Sequence, residues 1–210
     1  SEKMINTFKS QLNEINSGAS RPKNVDQTSV KKLGVLGSGL MGHGITYVSA
    51  LSEIEVVMTD SSQENADKGL SRIKDILHDS VELGRTTQEN ADKILNRITT
   101  TDDYNKLQDC DLIIEAVFED RDLKGQVTTQ AERIMDENGI FASNTSTLPI
   151  SSLAKRSIRP EKFIGIHFFS PVHKMKLVEI IKGENTNDET IAKAFDYVLK
   201  IRKIPIVVND

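Results

Sequence analysis

The sequence lacks the covalent cross-links that hold many small folds together. It contains one cysteine, Cys110, and no tryptophan among its 210 residues, so no disulfide can form within the chain. A chain of this length can bury a hydrophobic core without such links. It also lacks any apolar run of about 18 residues, the length that a membrane-spanning helix requires. We therefore predict no membrane span, and the missing disulfides and leader pattern are typical of an intracellular protein.

An excess of positive charge is also absent. Lysine and arginine together number 27 against 31 aspartate and glutamate residues, which gives a formal net charge of −4. This balance disfavours a nucleic acid or an anionic membrane as the main partner. With 37% hydrophobic and 28% charged residues, the composition is that of a folded globular protein. A small molecule is the partner that we expect.

Several catalytic motifs are missing as well. The chain has no paired-cysteine spacing, no H-E-x-x-H helix, no G-x-S-x-G elbow and no phosphate loop that ends in lysine. These absences disfavour zinc hydrolysis, acyl-serine chemistry and nucleoside triphosphate hydrolysis. We predict no metal site.

From Val30 onward, short apolar runs alternate with longer helical patterns. This alternation predicts an α/β domain over residues 30–210, with a doubly wound, Rossmann-type and mostly parallel sheet. A helical hairpin between Ala66 and Leu95 is inserted after the second strand. The predicted strands are Leu33–Leu36, Glu55–Thr59, Asp111–Val117, Ile140–Ser143, Phe163–His167, Lys176–Ile181 and Ile204–Val208. The other predicted helices are Leu40–Leu51, Asp122–Met135 and Asp188–Leu199.

Residues 1–29 have a different pattern from the rest of the chain. Apolar residues recur at helical spacing between positions 4 and 15, and a polar linker follows over residues 19–29. This helix could pack on its own domain or on a neighbouring domain that is missing here. The alternative is a frayed terminus. Because the chain opens with Ser1 and stops at Asp210 directly after an apolar run, we expect an excised piece of a longer protein.

A glycine-rich turn follows the first predicted strand. Residues 37–42 read GSGLMG and lead directly into a helical pattern, which is the context of a dinucleotide-binding turn. The first glycine permits the tight bend, the second lets backbone amides approach a pyrophosphate, and the third lets helix and strand pack closely. Asp60, at the end of the next strand, is placed to accept hydrogen bonds from both ribose hydroxyls and to repel a 2′-phosphate. Because residues 61 and 62 are serines rather than arginines, NAD is preferred over NADP.

Three further polar clusters follow predicted strands. They are Val117-Phe118-Glu119, Asn144-Thr145-Ser146 and His167-Phe168-Phe169-Ser170. The carboxyl ends of strands in an open parallel sheet face one crevice, which is where ligands bind. A nicotinamide bound along this crevice would therefore meet all three clusters.

A glutamate in an apolar strand needs a polar partner. Glu179 lies within the run LVEII, and His167 at the end of an adjacent strand would suit it. Such a pair is typical of a general base with its orienting carboxylate. The residue types leave two alternatives open, a structural role for His167 and a lysine partner for Glu179. Lys124, in a helix start beyond Glu119, either meets a phosphate or carboxamide of the ligand or is a solvated surface lysine.

Four segments resemble one known family. GSGLMG at 37–42, IEAVFE at 114–119, FASNTS at 141–146 and GIHFFSP at 165–171 are similar to the NAD-binding domain of L-3-hydroxyacyl-CoA dehydrogenases. The resemblance runs from about residue 32 to residue 210. The serine in the last motif and the preceding linker helix look most like the dehydrogenase segment of multifunctional fatty-acid β-oxidation proteins, which carry an enoyl-CoA hydratase domain upstream.

The resemblance implies an activity and a set of residue roles. The activity is oxidation of an (S)-3-hydroxyacyl-CoA to the 3-oxoacyl-CoA, with hydride transfer to NAD. His167 would be the catalytic base, Glu179 its partner, and Ser146 a hydrogen-bonding residue beside the substrate oxygen. The cofactor-binding residues predicted from the turn, the strand ends and the resemblance are Gly37, Gly39, Leu40, Met41, Gly42, Asp60, Ala116, Val117, Phe118, Glu119, Lys124, Asn144, Ser146 and Ser170.

The resemblance also implies partners outside this sequence. In the family, a helical domain follows and supplies a catalytic asparagine, much of the acyl-CoA site and the dimer contact; it is absent here, so we expect poor turnover from residues 1–210 alone. The expected partners are an acyl-CoA and the neighbouring domains of a multifunctional chain, in the cytoplasm of a bacterium or in a peroxisome or mitochondrial matrix. The alternative is a dinucleotide-binding module with a structural or regulatory role. His167 with Glu179 favours the enzyme, because binding alone needs no base.

Overall fold

The computed structural model describes residues 20–210, in which one sheet lies between two layers of helices. The helix predicted between positions 4 and 15 lies outside the described residues. The strands are β1 (Lys32–Leu36), β2 (Glu55–Thr59), β3 (Ile98–Thr101), β4 (Leu112–Glu115), β5 (Ile140–Ser143), β6 (Phe163–Phe168), β7 (Leu177–Lys182) and β8 (Ile204–Asn209). The helices are α1 (Leu40–Leu51), α2 (Gln63–Glu82), α3 (Gln88–Leu95), α4 (Arg121–Glu132), α5 (Ile150–Leu153) and α6 (Asp188–Lys200).

The strands of the described chain form one sheet in the order β3-β2-β1-β4-β5-β6-β7-β8. Strands β1 to β6 run parallel, β7 is antiparallel to β6, and β8 is parallel to β7. The chain winds outward from β1 to β3 and then returns to the other side of β1 as β4. The strand order therefore reverses between β1 and β4, which is the place where ligands bind in such sheets. The predicted doubly wound, mostly parallel sheet is confirmed.

The sequence prediction missed the edge strand β3, and it also missed the short helix α5. The four residues of β3, ITTT, pair with β2, but only Thr101 is buried. The apolar pattern is therefore weak, and the β-branched side chains were the one available signal for a strand. The predicted helical hairpin is present as α2 and α3, and these two helices form the crossover that carries the chain from β2 to β3.

Each face of the sheet has its own hydrophobic core, because successive strand residues point to opposite faces. In β2, Val56 and Met58 join the first core and Val57 joins the second. Helices α1, α2, α3 and α6 cover the first core, whereas α4 and α5 cover the second. Both faces are buried, which explains why the central strands read as continuous apolar runs rather than alternating ones.

Side chains cap most of the longer helices. Ser62, Thr87, Asp120 and Asn187 each accept a hydrogen bond from the backbone N–H three residues further along. Helix α1 differs, because its N-cap residue is Gly39, which has no side chain. The N-terminus of α1, with its partial positive charge, is therefore left uncapped at the carboxyl edge of the sheet.

Residues 20–29 form no helix or strand, yet they are fastened to the domain. Arg21 donates hydrogen bonds to both carboxylate oxygens of Asp196 on α6, at 2.7 and 2.9 Å. The backbone N–H and the hydroxyl of Thr28 donate to the same carboxylate, at 2.8 and 3.0 Å. Four hydrogen bonds thus attach this segment to Asp196. The sequence gives no sign of the attachment, because its partners are far apart along the chain.

We predict that Arg21→Ala destabilises the protein. The substitution leaves the buried Asp196 carboxylate with fewer partners, and hydrogen bonds to charged groups contribute about 1.5–3 kcal/mol to the free energy of unfolding. Urea denaturation measures the loss. Lys93→Ala, which removes an exposed ion pair with Glu89 on α3, is the control and should change stability little. Equal losses for the two variants would contradict the prediction.

Candidate active site

The glycine turn between β1 and α1 has the geometry that its sequence predicts. Gly37 has φ +94°, and its N–H donates to the Thr59 carbonyl at 2.8 Å. A Cβ at Gly37 would lie 2.7 Å from the Ala116 carbonyl oxygen, and one at Gly42 would collide with the Gly37 carbonyl at 1.7 Å. A Cβ at Gly39 would meet nothing within 4 Å. The first and third glycines are therefore needed for backbone packing, whereas the second leaves open space at the start of α1.

Asp60 lies beside this turn, at the end of β2. One carboxylate oxygen accepts hydrogen bonds from the backbone N–H and the hydroxyl of Ser38, at 2.7 and 2.6 Å. The other accepts from the backbone N–H of Ser61 at 2.7 Å. Burial acts to raise the pKa of Asp60, but the hydrogen bonds from Ser38 and Ser61 outweigh it and hold that pKa below its ordinary value. The residue therefore carries a fixed negative charge next to the open end of α1.

A cleft with a volume of about 540 Å³ joins the turn to Asp60. The predicted cofactor residues that line it are Gly37, Gly39, Leu40, Met41, Asp60, Ala116, Val117 and Phe118. The side chains of Lys68, Arg72 and Tyr104 also line the cleft, and the sequence analysis missed all three. Helix α2 brings Lys68 and Arg72 there from well beyond Asp60, so a search for arginine next to Asp60 could not find them. Burial, with the negative charges of Asp60 and Glu115, raises the pKa of Tyr104 to about 12, so its phenol stays neutral.

A second group of side chains lies at the carboxyl ends of β5 and β6. His167 and Glu179 are directly paired residues of the antiparallel strands β6 and β7. The His167 Nδ1 atom lies 2.8 Å from a Glu179 carboxylate oxygen, and its Nε2 atom lies 3.2 Å from the Ser146 hydroxyl. The three groups thus form a line of contacts, in which the side chains of His167 and Glu179 are 16% and 35% exposed. The structure thus brings together all three residues predicted to be catalytic, with the carboxylate orienting the imidazole.

The turn that carries Ser146 is held by Glu119. One Glu119 carboxylate oxygen accepts hydrogen bonds from the backbone N–H groups of Ser146 and Thr147, at 3.0 and 3.1 Å. It also accepts from the hydroxyls of Thr145 and Thr147. Burial acts to raise the pKa of Glu119, but the Thr145 hydroxyl, the charge of Lys124 and the Thr147 N–H together lower it to about 2. Glu119 therefore fixes the position of the Ser146 backbone.

Lys124 is buried, which excludes the solvated surface lysine, and its predicted contact with the ligand stays a prediction. Its side chain is 2% exposed, and its Nζ atom lies 3.0 Å from both carboxylate oxygens of Glu115 and 3.2 Å from Glu119. It is thus neither a solvated surface lysine nor a residue that lines the cleft. Glu115, fully buried at the end of β4, was also missed by the sequence analysis, because it reads as part of an apolar strand. Burial raises the pKa of Glu115, and the Lys124 ammonium and the Ser143 hydroxyl act in the opposite direction.

Five more predicted cofactor residues lie outside the cleft lining: Gly42, Glu119, Asn144, Ser146 and Ser170. Asn144 is buried, and its side-chain oxygen accepts a hydrogen bond from the backbone N–H of Phe168 at 2.9 Å. It therefore ties the end of β5 to β6 beside His167. Ser170 lies exposed beyond the end of β6, before Pro171. Cofactor contacts stay predictions for these residues and for those that line the cleft.

Within residues 20–210, no group of three or more histidine, cysteine, aspartate or glutamate side chains is arranged to hold a metal ion. None of the helices there combines the length and apolar character needed to cross a membrane.

Comparisons with known proteins agree with one another. Residues 32–210 match the family described as 3-hydroxyacyl-CoA dehydrogenase, NAD binding domain. The fatty acid oxidation complex subunit alpha of Idiomarina loihiensis is 48% identical over 181 residues, which are 86% of this chain and 25% of that protein. The chain thus spans a quarter of the length of this curated relative.

Solved structures show the same fold. The crystal structure of (S)-3-hydroxybutyryl-CoA dehydrogenase PaaH1 from Ralstonia eutropha matches with a TM-score of 0.85 and 37% identity, covering 87% of this chain and 64% of that one. The dehydrogenase part of multifunctional enzyme 1 from C. elegans matches with a TM-score of 0.79 and 31% identity, covering 88% of this chain and 42% of that one.

We predict that Glu119 makes stability depend on pH in acid. Its pKa of about 2 lies below the ordinary value of 4.5. Its ionised form therefore contributes stability above about pH 4.5, and this contribution is lost as the pH falls from 4.5 towards 2. In urea denaturation across this range, Glu119→Gln should be less stable than the original protein at neutral pH and should lose less stability in acid. Glu89→Gln, an exposed substitution on α3, is the control. An unchanged pH dependence in Glu119→Gln would contradict the assignment.

Proposed function

The chain belongs to the family of NAD-binding domains of 3-hydroxyacyl-CoA dehydrogenases, and we propose that it oxidises a 3-hydroxyacyl-CoA to the 3-oxoacyl-CoA as part of a longer protein. The observation that supports this proposal is the line of Ser146, His167 and Glu179. A module that only binds a dinucleotide needs no base with an orienting carboxylate. This line lies at the same edge of the sheet as the cleft of Asp60 and the glycine turn, so one extended ligand can reach both.

The residues of the cleft fit NAD. Gly39 leaves space for a pyrophosphate at the uncapped N-terminus of α1, where the helix dipole favours an anion. The ionised Asp60 carboxylate lies at the end of β2, where it accepts hydrogen bonds from ribose hydroxyls in this class of site. Val117 and Phe118 supply apolar surface, and Phe118 is 87% exposed. When bound, NAD supplies an acceptor for the hydride that leaves the substrate carbon.

His167 takes the proton of the substrate hydroxyl in the proposed reaction. Its Nδ1–H is directed to Glu179, which leaves the lone pair on Nε2 free to accept that proton. The Glu179 carboxylate then stabilises the imidazolium. The Ser146 hydroxyl, next to Nε2, marks a position where the substrate oxygen can receive a hydrogen bond. In the reverse direction, the imidazolium returns the proton to the 3-oxo oxygen.

The rest of the acyl-CoA site comes, in this proposal, from other parts of a longer chain. The relatives named above support it, because each is longer than the segment that matches this chain. One of them is a subunit of a fatty acid oxidation complex. The partners that we propose are therefore an acyl-CoA and neighbouring domains of the same polypeptide. We propose the cytoplasm as the compartment in a bacterium, and the peroxisome or mitochondrial matrix otherwise.

We predict that Asp60→Ala weakens NADH binding. Charge-assisted hydrogen bonds contribute roughly 1.5–3 kcal/mol, or roughly 10- to 150-fold in the dissociation constant. The preference for NADH over NADPH should also narrow, because Lys68 and Arg72 remain in the cleft to attract a 2′-phosphate. Fluorescence titration with both nucleotides measures the two effects, and Asp79→Ala, exposed on α2, is the control. Unchanged NADH affinity in a folded Asp60→Ala variant would contradict the prediction, because the ribose hydroxyls would then not bind at Asp60.

We predict that His167→Gln in the full-length protein slows turnover by about 10²–10⁴-fold, the usual contribution of a positioned general base. Glu179→Gln should also be slow, because it removes the charge that stabilises the imidazolium. Ser146→Ala should slow turnover by a smaller factor, since it removes a hydrogen bond rather than the base. Oxidation of NADH by acetoacetyl-CoA measures turnover, and NADH affinity should change little in all three variants. A folded His167→Gln protein with normal turnover would exclude the base, and the non-catalytic module would then be the better account.

A further inference from the structure

Glu115 is a buried carboxylate that the proposed reaction does not use directly. It is the last residue of β4 and has no exposed surface. A carboxylate in such a place is stable only with hydrogen-bonding or charged partners. Both of its oxygens accept from Lys124 Nζ at 3.0 Å, and one also accepts from the Ser143 hydroxyl. The other lies 3.3 Å from the backbone N–H of Val117.

Lys124 connects Glu115 to Glu119. Its ammonium lies between the buried Glu115 carboxylate and the partly exposed Glu119 carboxylate, and it also donates to the Val117 carbonyl at 3.4 Å. An ammonium has three N–H donors, and these acceptors account for them. Lys124 is therefore saturated by protein groups, and its position is fixed from the buried side by Glu115.

The contacts continue without a gap to the proposed base. Glu119 accepts from the Ser146 backbone N–H at 3.0 Å, and the Ser146 hydroxyl lies 3.2 Å from His167 Nε2. A branch reaches the cleft as well, because Glu115 accepts from the N–H of Val117 and Lys124 donates to its carbonyl, and Val117 lines the cleft. The buried Glu115 carboxylate is thus connected, through Lys124, both to Ser146 and His167 and to the cleft.

We propose that Glu115 is a positioning residue, which acts through Lys124 and Glu119 to set Ser146 opposite His167 and to fix the Val117 segment of the cleft. The part that concerns Ser146 rests on the proposed function. A requirement for stability does not explain this arrangement, because an apolar pair of similar volume usually holds a strand to a helix as well as a buried ion pair does. An apolar pair could not present a donor to Glu119.

The test compares two buried carboxylates of similar exposure in the full-length protein. Glu115→Gln and Ser143→Ala alter the proposed anchor, and neither residue lines the cleft. Glu132→Gln is the matched control. Glu132 is 3% exposed at the far end of α4, where it accepts from Ser157 Oγ at 2.5 Å and from the Ile158 N–H at 2.7 Å. Melting temperature, NADH affinity by fluorescence, and kcat and KM for acetoacetyl-CoA reduction are measured for each variant.

The proposal expects a loss of function that stability does not explain. Glu115→Gln should lower kcat by about tenfold to a hundredfold, as expected when reacting groups are displaced by a fraction of an ångström to an ångström. It should also weaken NADH binding severalfold and leave KM for acetoacetyl-CoA near its original value. Glu132→Gln should lower the melting temperature and leave kcat and NADH affinity near the original. Ser143→Ala leaves Glu115 its contacts with Lys124 and the Val117 N–H, so it should lower kcat while lowering the melting temperature no more than Glu132→Gln does. It decides the test if Glu115→Gln does not fold.

Two outcomes separate failure of this proposal from failure of the proposed function. If Glu115→Gln and Ser143→Ala match Glu132→Gln in kcat and NADH affinity while the original protein is active, the positioning role is wrong and the dehydrogenase activity stands. If the original protein binds NADH but turns over no 3-hydroxyacyl-CoA, the proposed function is wrong. NADH affinity then decides whether Glu115 fixes the Val117 segment, and an unchanged affinity in both variants would overturn that part too.

Discussion

The antiparallel pairing of β6 with β7 is the constraint on which the site depends. Its register places His167 directly across from Glu179. A slip of one residue would bring Val178 or Ile180 opposite the histidine and turn Glu179 to the other face of the sheet. Val178 and Ile180 are buried in the first core, and they prevent that slip because it would turn them to the other face. The hydrophobic core thus sets the geometry of a polar pair at its edge.

Burial and charge act together around this pair. At the carboxyl edge, Glu115 and Glu119 pair with the buried Lys124, and Glu179 pairs with His167. Negative charge near His167 favours the imidazolium that proton transfer would create. Each carboxylate is nonetheless held by donors from the chain itself. The site is therefore arranged before any ligand binds, which lowers the cost of ordering it during a reaction.

Much of this arrangement could be predicted from the sequence, because local patterns determine it. The glycine turn with Asp60 is a contiguous motif at a fixed spacing, and the crevice follows from the alternation of strands and helices. The pairing of His167 with Glu179 is suggested by strand periodicity and by the need of a carboxylate in an apolar strand for a partner, although the residue types alone left a structural histidine or a lysine partner open. In each case the information lies within a short segment or in the general rule for parallel sheets.

The features that were missed depend on contacts between distant segments. Nothing near Arg21 in the sequence indicates Asp196, and nothing near Asp60 indicates Arg72. In the sequence, Glu115 is only an interruption in an apolar strand and Lys124 is only a lysine in a helix. The packing of α4 on the sheet brings the two side chains together. The strand β3 was missed because its threonines carry little of the apolar signal on which the prediction depends.

The position of the proton on the neutral His167 ring tests the central claim most directly. Nitrogen NMR of the ¹⁵N-labelled protein in mildly alkaline solution distinguishes the two imidazole tautomers, and comparison with His167→Gln assigns the signals. The contact between Nδ1 and Glu179 predicts a proton on Nδ1 and an unprotonated Nε2 that faces Ser146. A proton on Nε2 would contradict the account, because His167 could not then accept a proton from a substrate hydroxyl at that nitrogen.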